Sequence, residues 1–130
     1  MPLIPFELTA AQVIALDAAP YIFASLGANS GAVRVPRSFV VYKPAGDAFT
    51  VGIGARLEVK DDDNNLLFSI AAEGLLDQVG AQSRYVESAT SGKSFSSGST
   101  TFSISCSGAL SGGGPNVYFR FTFEEVQVVW

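Results

Sequence analysis

Apolar and polar residues alternate along one unbroken run of the chain, from Phe49 to Lys60. Side chains on a β-strand point to opposite faces in turn, so the odd positions of this run would share one face and the even positions the other. The apolar odd positions are Phe49, Val51, Ile53, Ala55, Leu57 and Val59. The pattern therefore predicts a single long strand with one buried face.

A second alternating run, from Leu66 to Ala72, follows the first after a short acidic segment. That segment, Asp61 to Asn65, contains only Asp and Asn, which favour tight turns because their side chains bond the local backbone. The two runs together predict a β-hairpin on one wall of a sandwich or barrel.

Shorter patterns predict the other elements of the chain. Residues 3–8 read as an extended arm or an edge strand, because Pro2 and Pro5 lack the N–H group that an interior strand needs. Thr9 and Gln12 have the spacing of a capping box, which predicts a short helix over residues 10–16. Further strands are predicted at 20–24, 32–35, 37–43, 84–89 and 101–106, one helical turn at 73–79, and a Ser/Gly-rich loop at 90–100.

The last apolar run changes phase near its end. Apolar side chains take odd positions from Val117 as far as Phe123, and even positions from Val126 onward. A phase change of one residue requires a bulge or a bend between sheets, which we predict at Glu124 or Glu125. With 130 residues and no linker, the chain is predicted to form one all-β domain, residues 1–130.

Composition excludes several classes of function. The chain has no histidine, which removes the commonest general base, the commonest metal ligand and every Ser-His or Cys-His nucleophile. Paired carboxylates could still hydrolyse glycosides, although the candidate acids show no supporting pattern. Those acids are Glu73, Asp77, Glu87, Glu124 and Glu125. We therefore expect a protein that is not an enzyme and that needs no cofactor.

Charge and targeting signals limit the classes of partner and the compartment that we expect for this chain. The net charge is −4 and the basic residues are scattered, so we expect no nucleic-acid partner. No basic leader precedes an apolar segment, and no apolar stretch approaches the roughly 18 residues that span a bilayer. The single cysteine, Cys106, cannot form an internal disulfide, which fits a reducing compartment. The expectation is a soluble protein of the cytosol without a membrane partner.

One segment has the spacing of a calcium loop. Asp61, Asp63 and Asn65 follow the D-x-D-x-N pattern of oxygen ligands for Ca²⁺. An EF-hand would place glycine where Leu66 stands and glutamate where Ala72 stands, with helices on both sides. The segment therefore fits a hairpin turn better than a metal site.

Aromatic residues are numerous for so small a chain, with ten phenylalanines and four tyrosines. A share of this surplus is expected at a subunit interface, because a small domain has limited interior. Trp130, with Tyr42, Tyr85 and Tyr118, has three possible uses: sealing the core, forming a subunit contact, or stacking on sugars as a platform.

The order of these features resembles the small virion structural proteins of tailed bacteriophages. The likeness rests on the segment LTAAQVIAL at 8–16, Pro20, the strand at 34–42, the long hairpin, and the turn LSGGG at 110–114 before an aromatic strand. The resemblance implies a jelly-roll-like antiparallel β-sandwich with one short N-terminal helix. It also implies a protein that trimerises and sits on the capsid as cement or decoration.

The sequence thus predicts a capsid decoration protein that assembles in the host cytoplasm, with itself and the major capsid protein as partners. The arm at 1–8 and the last strand are its predicted contact elements. The predicted interface residues are Leu3, Ile4, Phe6, Leu8, Phe119, Phe121, Phe123, Val128 and Trp130. A tail, baseplate or fibre component is the alternative within the phage class, and a carbohydrate-binding β-sandwich is the alternative from another class.

Overall fold

The computed structural model describes residues 2–27, 31–87 and 100–127. The strands in these ranges are β1 (Leu3–Leu8), β2 (Tyr21–Leu26), β3 (Ala32–Lys43), β4 (Thr50–Val51), β5 (Arg56–Lys60), β6 (Leu66–Ala71), β7 (Gln82–Glu87), β8 (Thr100–Cys106), β9 (Leu110–Ser111) and β10 (Val117–Gln127). One α-helix, α1 (Ala10–Ile14), continues as a 3₁₀ turn, Ala15–Asp17. Most of the predicted Ser/Gly loop lies outside the described residues.

Eight strands form two four-stranded antiparallel sheets, in the orders β1-β10-β3-β7 and β2-β8-β5-β6. Strand β1 pairs with β10, β2 with β8, β3 with β7 and β5 with β6. Such nested pairs arise when one long hairpin is rolled into a sandwich, which is the jelly-roll arrangement. The short strands β4 and β9 form a separate pair. The predicted jelly-roll-like sandwich with one short N-terminal helix is confirmed.

The space between the two sheets is filled largely by phenylalanine. Seven of the nine phenylalanines that the structure describes are buried, and the other two are half-buried. The Phe121 ring lies at the centre, with centroid distances of 4.6 to 6.1 Å to four other phenylalanine rings. The aromatic surplus expected at a subunit interface is therefore used mainly in the core of a single chain.

The helix begins as the sequence predicts. The Thr9 side chain accepts a hydrogen bond from the backbone N–H of Gln12 at 3.3 Å, and the Gln12 side chain accepts one from the Thr9 N–H at 2.9 Å. This reciprocal capping box satisfies two N–H groups that a helix start otherwise leaves unpaired. The α-helix ends two residues earlier than predicted, at Ile14, because the chain tightens into the 3₁₀ turn.

The predicted long strand from Phe49 to Lys60 is wrong in one respect, because it is two strands, β4 and β5, separated by a turn. Gly54 has a φ of +75°, a left-handed conformation that favours glycine, and the N–H of Ala55 donates to the Gly52 carbonyl at 3.1 Å. Ile53 at the turn is fully exposed instead of buried. Apolar and polar positions alternate regularly on both sides of the turn, so the sequence pattern does not reveal that the strand is interrupted.

The predicted bulge at 124–125 is also misplaced. The register shift lies between Thr122 and Phe123, and the extra residue is Arg37 on the partner strand β3. Arg37 follows Pro36, which cannot donate a ladder hydrogen bond, and a bulge is one of the few places where a strand tolerates proline. The buried side of β3 accordingly changes from even to odd positions at this point.

Candidate binding face

The outer face of the β1-β10-β3-β7 sheet carries three exposed tyrosines. Tyr118 lies directly opposite Tyr42, and their ring centroids are 6.3 Å apart with 35° between the ring planes. Tyr85 lies opposite Val40, one row further along the sheet. The tyrosine side chains are 43 to 61% exposed, so the solvent reaches all three rings.

Alternation along two strands explains why these side chains share a face. Val40 and Tyr42 flank the buried Val41 on β3, and Tyr118 and Arg120 flank a buried phenylalanine on β10. Neighbours on a strand point to opposite faces, so burying one set exposes the other. We call the resulting surface the tyrosine face and define it by Pro5, Val40, Tyr42, Tyr85, Tyr118 and Arg120.

A hollow of about 640 Å³ opens on the tyrosine face, between strands β1, β10 and β3. Its walls are mostly apolar, formed by Pro5, Val40 and the two paired tyrosine rings. Glu7 and Arg120 add a few polar groups. An apolar hollow with a small number of polar groups is the usual composition of a recognition site.

Two opposite charges border the hollow. Glu7 accepts a hydrogen bond from the Asn116 side-chain amide at 2.6 Å and has no cationic partner among the described residues. Arg120 makes neither a hydrogen bond nor an ion pair with any residue that the structure describes. Its guanidinium therefore keeps five donors for a binding partner. The face combines rigid aromatic rings with an arginine, the residue types that dominate protein contacts.

Four predicted interface residues lie in the core instead of at the surface. They are Leu8, Phe119, Phe121 and Phe123, which are 0 to 4% exposed. Strand β10 lies inside the sheet, flanked by β1 and β3, so its odd positions face the opposite sheet. The premise that one domain cannot bury these side chains is therefore wrong.

The other predicted interface residues on the arm belong to the edge strand β1, as the sequence anticipates. Leu3 is 49% exposed, whereas Ile4 and Phe6 are half-buried and pack against the core. The Phe6 ring stacks on Phe119 at a centroid distance of 4.7 Å. The remaining two, Val128 and Trp130, lie outside the described residues. Of the aromatic residues with three possible uses, Tyr42, Tyr85 and Tyr118 are exposed and therefore do not seal the core.

The acidic segment between β5 and β6 forms the hairpin turn. The Asp61 carboxylate accepts the backbone N–H groups of Asp63 and Asn65 at 3.0 and 2.9 Å, and the Asn65 side-chain amide at 2.9 Å. Asn64 takes a left-handed conformation, with a φ of 61°. Within the described ranges, no group of three or more His, Cys, Asp or Glu side chains is placed to hold a metal ion.

The acids considered for glycoside hydrolysis each bond to a neighbouring group. Glu73 and Asp77 accept backbone N–H groups in loops, at 2.5 and 2.7 Å. Glu124 and Glu125 pair with arginines on β3, at 2.6 and 3.5 Å. Glu87 accepts a hydrogen bond from the Tyr85 hydroxyl at 3.0 Å, and this bond raises the pKa of Tyr85. Each of these acids therefore makes a contact within the fold that accounts for its position.

Two buried ionisable groups lie on the inner side of their strands, away from the tyrosine face. Lys43, the last residue of β3, is fully covered and donates only to the Pro44 carbonyl among described groups, at 3.0 Å; burial lowers its pKa. Cys106 on β8 is 6% exposed, and burial raises the pKa of its thiol, an effect partly offset by the backbone N–H of Gly108.

The helices in the described part of the chain are too short to span a lipid bilayer. Comparisons with protein-family models, with curated proteins and with solved structures find no match. The fold and the site together define a jelly-roll β-sandwich with an exposed aromatic face that contains an open hollow.

Proposed function

We propose that the chain is a structural protein of a tailed-phage virion, a capsid decoration protein that oligomerises and binds the head shell. The observation that carries the proposal is the tyrosine face, an open aromatic hollow on an ordered sheet beside an arginine that has no partner among the described residues. The jelly-roll fold supports it, because this architecture is common in viral capsid proteins. The resemblance noted in the sequence supports it independently.

The face has the physical properties of a protein contact. Tyrosine side chains have few rotatable bonds, and here they project from a hydrogen-bonded sheet. Binding would therefore cost little conformational entropy. Burying the rings removes apolar surface from water, while the hydroxyls of Tyr42 and Tyr118 and the guanidinium of Arg120 remain available for hydrogen bonds. A small number of such anchors provides most of the affinity of a typical interface.

The two contact elements expected from the sequence both contribute to this face, although through different residues. Strand β1 supplies Pro5, and β10 supplies Tyr118 and Arg120 from its outward positions. The phenylalanines of β10 point the other way and hold the fold together. A decoration protein would bridge neighbouring capsid subunits as an oligomer joined through such faces, and many modest contacts acting together would resist expansion or rupture of the shell.

Co-sedimentation with capsids that lack this protein tests the proposal. We expect the intact protein to pellet with the shells, and Tyr42→Ser/Tyr118→Ser to remain in the supernatant while its thermal melt stays close to that of the intact protein. Ile22→Ser is the matched control, because Ile22 is 59% exposed on β2 of the other sheet. Pelleting of the double variant with the shells would contradict the proposal, and attachment only to purified tails would favour the tail alternative.

Substitutions test the face more cleanly than removal of the arm. Strand β1 is paired with β10 along its length, and Phe6 stacks on the core ring of Phe119. Deleting residues 1–7 would therefore strip one edge from the sheet and uncover core side chains. A loss of binding in that truncated protein would not separate a missing contact from a damaged fold.

Carbohydrate binding is the second candidate, and the geometry of the paired rings favours it specifically. Tyr42 and Tyr118 lie side by side with a carboxylate and a guanidinium at the edge of the same hollow, an arrangement that suits stacking on a sugar and bonding to its hydroxyls. Binding of an isolated glycan that Tyr42→Ala abolishes, without any affinity for shells, would favour this function over assembly.

A further inference from the structure

The turn between β4 and β5 presents the most exposed large apolar side chain in the described part of the chain, Ile53. Two hydrogen bonds fix the turn to its surroundings. The Gly52 N–H donates to the Ala109 carbonyl at 2.8 Å, and the Gly54 N–H donates to the Glu73 carboxylate at 2.5 Å. The side chain therefore projects from an ordered backbone, so a partner could cover it at little cost in conformational entropy.

The same turn carries a negative charge beside its apolar tip. Glu73 is exposed, and one of its carboxylate oxygens is held by the N–H of Gly54, the residue that follows Ile53. The other oxygen makes no hydrogen bond or ion pair with any described residue. The turn thus combines an apolar projection with an adjacent anion.

The tyrosine face has the complementary features. It offers an apolar hollow between Val40, Tyr42 and Tyr118, and beside this hollow stands the cation Arg120, which no described residue neutralises. An apolar projection beside an anion is complementary to an apolar hollow beside Arg120, and Glu7 at the same hollow sets the orientation, because Glu73 must lie on the Arg120 side. The two surfaces do not meet within one chain, because Ile53 is fully exposed.

We propose that Ile53 of one copy inserts into the tyrosine face of a second copy, with Glu73 directed towards Arg120. This inference rests on the proposed function and assigns the tyrosine face to the contact between copies through which the protein oligomerises, so that the shell would bind the assembled oligomer. The contact joins two different surfaces, so a pair of copies keeps one free face and one free turn to which further copies can bind. Repetition of such a heterologous contact gives a closed ring when the rotation closes, and the trimer implied by the resemblance is the smallest such ring.

Light scattering over a concentration series tests this contact. We expect the intact protein to self-associate, and both Ile53→Asp and Arg120→Glu to weaken self-association by about tenfold or more. Glu73→Gln keeps the acceptor for the Gly54 N–H but removes the charge, so a smaller loss of roughly two- to fivefold is expected. Val79→Asp is the control, because Val79 is another apolar loop residue, 69% exposed, that the proposed contact does not use.

Mixing two defective variants separates this contact from a symmetric one. Ile53→Asp lacks the turn but keeps the face, whereas Tyr42→Asp lacks the face but keeps the turn. Each should be monomeric alone, and an equimolar mixture should form a one-to-one dimer that grows no further. Self-association of Ile53→Asp equal to that of the intact protein would overturn the proposal, as would a mixture that stays monomeric. A thermal melt confirms that each variant is folded before it is mixed.

The same samples distinguish failure of this inference from failure of the proposed function. An intact protein that pellets with shells but remains monomeric up to roughly millimolar concentration overturns the contact between copies and leaves the capsid function standing. An intact protein that self-associates through Ile53 but never pellets with shells supports the contact and removes the capsid function.

Discussion

The two faces of the β1-β10-β3-β7 sheet are both aromatic, yet they differ in residue type and exposure. Phe39, Phe119 and Phe121 on the inner face are at most 2% exposed, whereas Tyr42 and Tyr118 on the outer face are 43 to 45% exposed. A phenyl ring has no polar atom to satisfy and can be buried completely, but a phenol needs a hydrogen-bond partner and keeps one end in water. The same two strands therefore place buried phenylalanines on one face, which stabilise the fold, and exposed tyrosines on the other, the face proposed to bind a partner.

The inner face should show the largest effect of substitution. Phe121→Ala removes a fully buried ring that contacts four other phenylalanines, so we expect a loss of about 3–5 kcal/mol in the free energy of unfolding. Urea denaturation followed by circular dichroism measures this loss. A cost below about 1 kcal/mol would mean that this face is not the core.

The inner face of the β2-β8-β5-β6 sheet should protect the Cys106 thiol from reagents in solution. Cys106 is buried and burial raises its pKa, so little reactive thiolate is present at neutral pH. We expect alkylation by iodoacetamide to be on the order of a hundredfold slower in the folded protein than in denaturant. Comparable rates in the two states would show that this part of the sandwich opens readily.

The charge of Lys43, on the inner face, should have a smaller effect on the free energy of unfolding, and this effect should depend on pH. Burial lowers the pKa of Lys43 in the folded chain below its ordinary value of 10.5, so between these two values the unfolded chain binds more protons. Stability should therefore rise with pH through this window, and the cost of the buried charge is greatest below it. Lys43→Met should remove this contribution, and at neutral pH it should be as stable as the original within about 1 kcal/mol, or more stable.

Denaturation at a series of pH values checks this expectation. The difference in the free energy of unfolding between Lys43→Met and the original protein should become less favourable to the variant as the pH approaches 10.5. A difference that is constant across the alkaline range would contradict a lowered pKa for Lys43.

The outer face should show the smallest effect on stability. Tyr42→Ser removes one cross-strand aromatic contact from a partly exposed surface, for which we expect a loss of about 0.2–1 kcal/mol. The thermal melt of this variant should therefore stay close to that of the original protein. A loss comparable to that of Phe121→Ala would show that the outer face contributes to stability as much as the inner face does.

Features set by neighbouring residues were accessible from the sequence. The Thr9 capping box and the Asp61 turn both depend on side chains that bond the backbone a few residues away, and both occur as predicted. The exposed turn at Ile53 was missed because an apolar residue between two glycines continues the alternation even though the chain turns there. The signal available in the sequence was the pair of glycines, Gly52 and Gly54, since glycine readily takes the left-handed φ that the structure shows at Gly54.

Features set by distant pairing were less accessible. The sequence placed Tyr42, Tyr85 and Tyr118 in one possible platform, but their common face follows from the register of three strands that lie far apart in the chain. The same pairing buries Phe119 and its odd-numbered neighbours, which the apolar pattern alone could not assign to core or interface. Alternation gives two faces to each strand, and only the neighbouring strands decide which face is inside.

The nested pairing of the strands determines when, during folding, the tyrosine face is complete. The β5–β6 hairpin closes over a short turn, whereas β10 must find β1 and β3 across most of the chain, so these pairings carry the largest loop-closure cost and should form late. Five of the six residues that define the tyrosine face lie on β1, β3 and β10. A partly folded chain therefore lacks a complete tyrosine face, and under the proposed function assembly would begin only after folding is complete.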